Sequence, residues 1–156
     1  MTRHLVARIV SGGQSGADRA ALDAAIECGI EYGGWCPLGG WAEDYPEPPG
    51  ILEPYPGLRE TASADPAERT RLNVRDSDAT LIVRSTSSSP GSDLTERHAG
   101  ELGRPCLVAV DADVDAVLQW LSALPSELTL NVAGPRESEQ PGIHRATRAL
   151  LNQVLR

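Results

Sequence analysis

Apolar residues along the chain follow two alternating rhythms. Short runs of strand length and β-branched character occur at Leu5 to Val10, Ala79 to Val83, Cys106 to Val110 and Leu128 to Val132. Between them the apolar positions recur every three or four residues: Leu22, Ile26 and Ile30, then Val114, Val117, Leu118 and Leu121, and finally Ile143, Ala146, Leu150 and Val154. That spacing predicts helices. Two further helices are expected over Glu68 to Asp76, with Pro66 near the first turn, and over about Asp93 to Leu102. Ser15 and Asp18 have the form of a capping box that starts the first helix, and Gly29 supplies its stop. Strands alternating with helices predict an α/β fold: a single Rossmann-like three-layer domain spanning residues 1–156, with a mostly parallel sheet.

One stretch breaks the rhythm. Residues 33–62 carry half of the prolines and many glycines, and no regular element is expected there. So long a loop inside a small domain calls for a purpose. Two readings are open: a cover over a ligand, with Trp35 and Trp41 shielding a ring system, or an arm at an oligomer interface.

Composition narrows the chemistry. The length of 156 residues fits one domain, and 14 basic against 22 acidic residues gives a net charge of −8 that repels polyanions, so nucleic acid is not an expected partner. All 14 basic residues are arginines, which excludes a P-loop lysine, a Schiff base or a pyridoxal phosphate anchor. With no Phe, the core must be aliphatic, and a base-stacking platform is not expected. Cys28, Cys36 and Cys106 form no C-x-x-C pair and read as reduced thiols, and no apolar run approaches 18 residues. A soluble, cytoplasmic protein without membrane association is the expectation.

In an open parallel sheet, ligands bind at the carboxyl ends of the strands, and three such ends are rich in Gly, Ser and Arg: 11–19, 85–96 and 133–138. The first supplies Gly12, Gly13, Gln14, Ser15 and Gly16, then Asp18 and Arg19 in the first helical turn. The second supplies Gly91, Ser92 and Thr95, and the third Gly134 and Arg136. Glycine loops at a helix N-terminus let backbone amides approach a phosphate, and a guanidinium can grip one through two hydrogen bonds. These residues are therefore expected to converge on one anion site. Simpler readings stand beside that one: a plain tight turn, a polar loop capped by Ser92 or Asp93, and a surface ion pair of Arg136 with Glu137. The glycine spacing does not match G-x-G-x-x-G, which argues against dinucleotide redox chemistry. His4, His98 and His144 are scattered outside any ligand-spaced cluster, so no directly bound metal is expected. Glu43, Asp44 and Glu47 read as solvated loop carboxylates.

Taken together, Ser11-Gly-Gly-Gln-Ser-Gly-Ala-Asp-Arg-Ala-Ala-Leu-Asp23, Gly34-Trp-Cys-Pro37, Ala42-Glu-Asp44, Asn73 to Ile82 and Asn131-Val-Ala-Gly-Pro-Arg-Glu-Ser138 resemble the putative molybdenum carrier family. This is a branch of the Rossmann-like superfamily that also contains the cytokinin-activating phosphoribohydrolases. The resemblance covers nearly the whole chain. It implies a homo-oligomer, dimer or tetramer, that binds a small phosphate-bearing ligand: the molybdenum cofactor (molybdopterin), whose metal rides on the pterin sulfurs, or a nucleotide. The phosphoribohydrolases carry a P-G-G-x-G-T-x-x-E loop whose glutamate and a separate arginine serve N-glycosidic cleavage. Aligned on Gly91-Ser92, that loop puts Thr95 at the place of the glutamate, and Ser87, Ser88 and Ser89 replace its proline and two glycines. Carriage without catalysis is thus the leading expectation. A nucleoside 5′-monophosphate phosphoribohydrolase and a non-catalytic nucleotide sensor are the alternatives.

Overall fold

The structure, a computed structural model, describes residues 4–156. The apolar runs become β1 (Val6–Val10), β5 (Ala79–Arg84), β6 (Cys106–Val110) and β7 (Leu128–Ala133), and a short β2 (Glu31–Gly33) joins them. Together they form a parallel sheet in the order β2-β1-β7-β5-β6, with Ile9 opposite Leu130 and Thr80 opposite Asn131. The last strand in sequence is thus the central one. Its neighbour β5 reads as an almost continuous apolar run because both faces of the sheet are covered there, which leaves little room for polar alternation.

The helices are α1 (Ala17–Glu27), α2 (Pro66–Arg75), α3 (Pro90–Glu101), α4 (Val114–Ser122) and α5 (Ile143–Val154). Helix α1 packs against α5, and α4 also meets α5, whereas α2 packs against α3. Right-handed crossovers require this division: the β1–α1–β2 and β5–α3–β6 units run in opposite directions across the sheet, so their helices lie on opposite faces. The main core joins Ile9, Leu81, Val83, Leu130 and Val132 of the strands to Leu150 and Leu151 of α5.

Helix α1 differs from the periodicity reading. Its buried face is the alanine set Ala17, Ala20, Ala21, Ala24 and Ala25 with Leu22, while Ile26 is 53% exposed. Small side chains let α1 lie close to the sheet and α5, so the large apolar residues do not mark the contact face. The expected capping box is also absent: Gly16 is the N-cap, no side chain caps the helix, and the Ser15 hydroxyl donates to Glu43 instead. Helix α3 begins at Pro90, three residues earlier than expected, because Ser89 rather than Ser92 or Asp93 caps it, its Oγ accepting from the Ser92 amide at 3.2 Å.

Residues 33–62 are not structureless. The stretch contains β3 (Trp35–Cys36) paired in parallel with β4 (Arg59–Glu60), and single helical turns at Leu38–Gly40 and Gly50–Leu52. It has a small core of its own, Cys36, Ala42, Ile51 and Leu58 closing over Leu22 of α1. Elements of two or three residues leave no periodic trace, which is why the segment reads as a loop.

Candidate functional site

A cleft opens where the chain leaves the central strands. Gly12 follows β1, and Asn131, Ala133 and Gly134 end β7; Gly91 and Thr95 come from the first turns of α3, and Arg69, Thr70 and Asn73 from α2. The position is a topological switch point, since α5 after β7 and α3 after β5 turn to opposite faces. Its volume is about 50 Å³. At ~10–15 Å³ per water position, that suits a phosphate-sized group.

Arg69 supplies the positive charge. Its Nη1 donates to the Gly12 carbonyl oxygen at 3.0 Å and lies 3.9 Å from Asp18 Oδ2. Asp18 is buried at the edge of the same cleft, and burial pushes its carboxyl up to about 6, against the opposing pull of Arg69, the Gln14 and Gly134 amides and Arg19. Near neutral pH a carboxyl so placed can accept a hydrogen bond from a ligand hydroxyl or amine, or exchange a proton with it. The Thr95 hydroxyl donates back to Gly91 O at 2.9 Å. Asn73 holds both peptide groups of Trp35, accepting from its N–H at 2.7 Å and donating to its carbonyl at 3.0 Å, which ties α2 to β3. A Cβ at Gly91 would meet nothing within 4 Å. Gly91 thus brings no side chain to the cleft at the start of α3, where the helix dipole favours an anion.

The chain matches the model of the circularly permutated YpsA SLOG family over residues 9–155. It belongs to that family. A crystal structure described as that of the "Putative molybdenum carrier protein" from Syntrophus aciditrophicus SB is 38% identical to it, with a TM-score of 0.87 over 99% of this chain and 98% of that one. Curated proteins give no match. The resemblance carried by the Ser11–Asp23 and Asn131–Ser138 blocks agrees with both findings.

In this YpsA SLOG member the sequence-derived residues divide. Gly12, Asp18, Gly91, Thr95 and Gly134 line the cleft. Gly13, with φ +75°, lies under the 33–62 segment, where a Cβ would strike Ile51 and come within 2.9 Å of Leu58. Gly16, with φ +83°, is pressed against the Pro135 carbonyl and the Glu137 amide. Two of the three loop glycines thus serve packing within the chain. Gln14 Oε1 accepts from the Ser15 and Glu43 amides at 3.0 and 2.9 Å, and Ser92 is buried at the α3 cap. Arg136 stays outside the cleft, its guanidinium 6.0 Å from the Trp41 ring and 3.9 Å from Glu139, while Glu137 caps the amides of Gly142 and His144.

Ser15 and Arg19 line a separate open depression of about 410 Å³. There Arg19 makes paired hydrogen bonds of 2.8 and 2.9 Å to Asp44 and lies over the rings of Tyr45 and Tyr55. Asp23 accepts from the Tyr55 hydroxyl and meets His144 Nε2 at 2.8 Å. Glu43 accepts from the hydroxyls of Ser15 and Ser138. Asp44 titrates below its ordinary range because of the hydrogen bonds from Arg19; Glu43 does so too, the Ser138 and Ser15 hydroxyls outweighing the opposing effect of burial. Glu43 and Asp44 are therefore latches that fasten the 33–62 segment.

Sequence reasoning missed Arg69, Thr70, Asn73 and Asn131. Asn73 and Asn131 stand inside blocks that carry the family resemblance, and that was their signal. Arg69 and Thr70 had none, because α2 follows no sheet strand whose end points to the cleft. Among the described residues no cluster of His, Cys, Asp and Glu could hold a metal ion, and no helix is long and apolar enough to cross a membrane.

Proposed function

We propose that the chain binds a phosphate-bearing small molecule at the strand-end cleft, with carriage of the molybdenum cofactor as the leading role. One observation carries the reading: the Arg69 guanidinium and Gly91 at the start of α3 line a cleft of phosphate size at the switch point of the sheet. The phosphate end of the cofactor fits this volume, with the pterin and its metal outside it. Gly12, Arg69, Gly91 and Thr95 would hold the phosphate, and Asp18 would meet a hydroxyl or amine of the ligand. Self-association and a reducing, cytoplasmic setting accompany this reading, the latter supported by three free cysteines.

A second reading has its own support. The carboxyl of Asp18 beside Arg69 combines the two side-chain types that the related phosphoribohydrolases use, although Thr95 stands at the glutamate position. Incubation with nucleoside 5′-monophosphates separates the two. Water-dependent release of free base and ribose 5-phosphate would establish the hydrolase. Binding without turnover, together with molybdenum and a pterin in mass spectra of the purified protein and their loss from Arg69→Met, is the result expected for the carrier. A protein that binds neither nucleotide nor pterin overturns both.

A further inference from the structure

A second cavity of about 160 Å³ lies between β1, the β3–β4 pair and the end of α2. Its walls include Arg8, Trp35, Arg59 and Asp76. Arg8 stands opposite Glu31 in the β1–β2 register, yet its guanidinium lies over Gly33, where a Cβ would strike its Nη2, and it makes no ion pair with Glu31. The buried Nε of Arg8 has no hydrogen-bond partner among the described residues. A guanidinium stays charged at any accessible pH, so a buried N–H left unpaired carries a real desolvation cost.

Arg59 lies over the Trp35 ring, 5.9 Å from its centre, and is in no ion pair among the described residues. The carboxylate in the wall, Asp76, is already engaged: Arg75 donates to both of its oxygens at 2.7 and 3.1 Å, and Trp35 Nε1 adds a third bond at 2.9 Å. Two uncompensated guanidinium groups thus face one cavity in a chain whose net charge is −8.

We propose that this cavity is a site for a small tetrahedral oxyanion, held between Arg8 and Arg59 beside Trp35. Two forks of N–H donors lining one cavity match such a dianion. The volume of about 160 Å³ accommodates an inorganic oxyanion with some of its water and falls below the ~300 Å³ at which pockets begin to enclose cofactor-sized molecules. The site uses none of the residues assigned to the phosphate cleft and stands independently of that reading.

Calorimetric titration of the full chain with phosphate, sulfate and molybdate, each separately, tests the idea and identifies which oxyanion is preferred. At least one should bind saturably with a Kd of about 1 mM or tighter, and Arg8→Met or Arg59→Met should weaken it about tenfold or more. Arg69→Met removes only what the strand-end cleft itself takes up and should leave the component that depends on Arg8 and Arg59 unchanged. Circular dichroism of each variant confirms folding; Arg59 lies at the exposed rim, so its variant serves should Arg8→Met fail to fold. Absence of binding for all three anions overturns the proposal, as does binding that both Arg8→Met and Arg59→Met retain, or that Arg69→Met abolishes.

Discussion

The Arg69 guanidinium occupies the space that a side chain at residue 12 would fill: a Cβ on Gly12 would sit 2.6 Å from Arg69 Nη1 and 3.0 Å from Asp18 Oδ2. This glycine is required by the placement of a charge. No left-handed backbone angle marks the position, so Gly12→Ala has no conformational obstacle of its own; it displaces the flexible end of Arg69 and presses on Asp18 Oδ2 by a few tenths of an ångström. Stability should change by less than about 1 kcal/mol, within the range of substitutions that touch no core contact. Affinity for a phosphate-bearing ligand should fall toward that of Arg69→Met, which loses charge-assisted hydrogen bonds of ~1.5–3 kcal/mol each. Paired calorimetric and denaturation measurements check this, and unaltered affinity in Gly12→Ala would mean that Arg69 does not hold the ligand.

Gly13 and Gly91 should respond in opposite ways. Gly13 has φ +75° and is covered by Ile51 and Leu58, so alanine there meets both backbone strain and a clash. A loss of roughly 2 kcal/mol or more is expected in urea denaturation, in the range of overpacked core sites. A larger residue at Gly13 thus disturbs the fold itself and not only the approach of a ligand. Gly91 sits in helix α3 with nothing within 4 Å of the place its Cβ would take, so alanine there should be neutral or add ~0.5–1 kcal/mol, whereas a leucine should fill the cleft mouth and weaken ligand binding.

The contrast shows what was legible in the sequence. The parallel α/β layout was, because its strands are buried runs and α4 and α5 keep a clean apolar face. That the chain after β1, the end of β7 and the start of the helix after β5 border one cleft also follows from topology. The partner of each glycine does not, since the contacts of Gly12 with Arg69 and of Gly13 with Ile51 span dozens of residues. Nor does the identity of the cleft's cation. Arg136 follows a sheet strand and looks better placed than Arg69, yet its side chain turns toward Trp41 and Glu139.

Asp18 should set a pH dependence. Its folded pKa of about 6 lies above the ordinary 3.8, so the folded state prefers the protonated carboxyl by on the order of 3 kcal/mol. That stabilisation is complete below pH 3.8 and disappears as the pH rises through about 6. Asp18→Asn should therefore flatten the fall in stability across this window, as read from denaturation midpoints. In the wild type a phosphate ligand should bind more tightly toward pH 5.5 than toward 7.5 after correction for its own ionisation, and the variant should lose that residual slope. A variant whose stability profile parallels the wild type would place the ionisation of Asp18 outside this range.

The 33–62 segment should behave as part of the folded body in the absence of ligand. Cys36, Ala42, Ile51 and Leu58 are buried over Leu22, and the latches at Glu43, Asp44 and Tyr55 tie the segment to Ser15, Arg19 and Asp23. Ile51→Ala removes a fully buried side chain from the small core and should cost ~2–5 kcal/mol. Hydrogen exchange should show the Leu52, Tyr55 and Leu58 amides, each bonded to a backbone carbonyl, protected well above free-loop rates in the free protein. The latches weaken on the acid side: Asp44 and Glu43 have lowered folded pKa values, so their contribution is present above the ordinary carboxylate range and is lost as the pH falls through those lowered values. Exchange in the segment should then speed up ahead of the central strands. If these amides exchange at free-loop rates at neutral pH and slow only when ligand is added, the segment is a closing lid rather than a fastened wall.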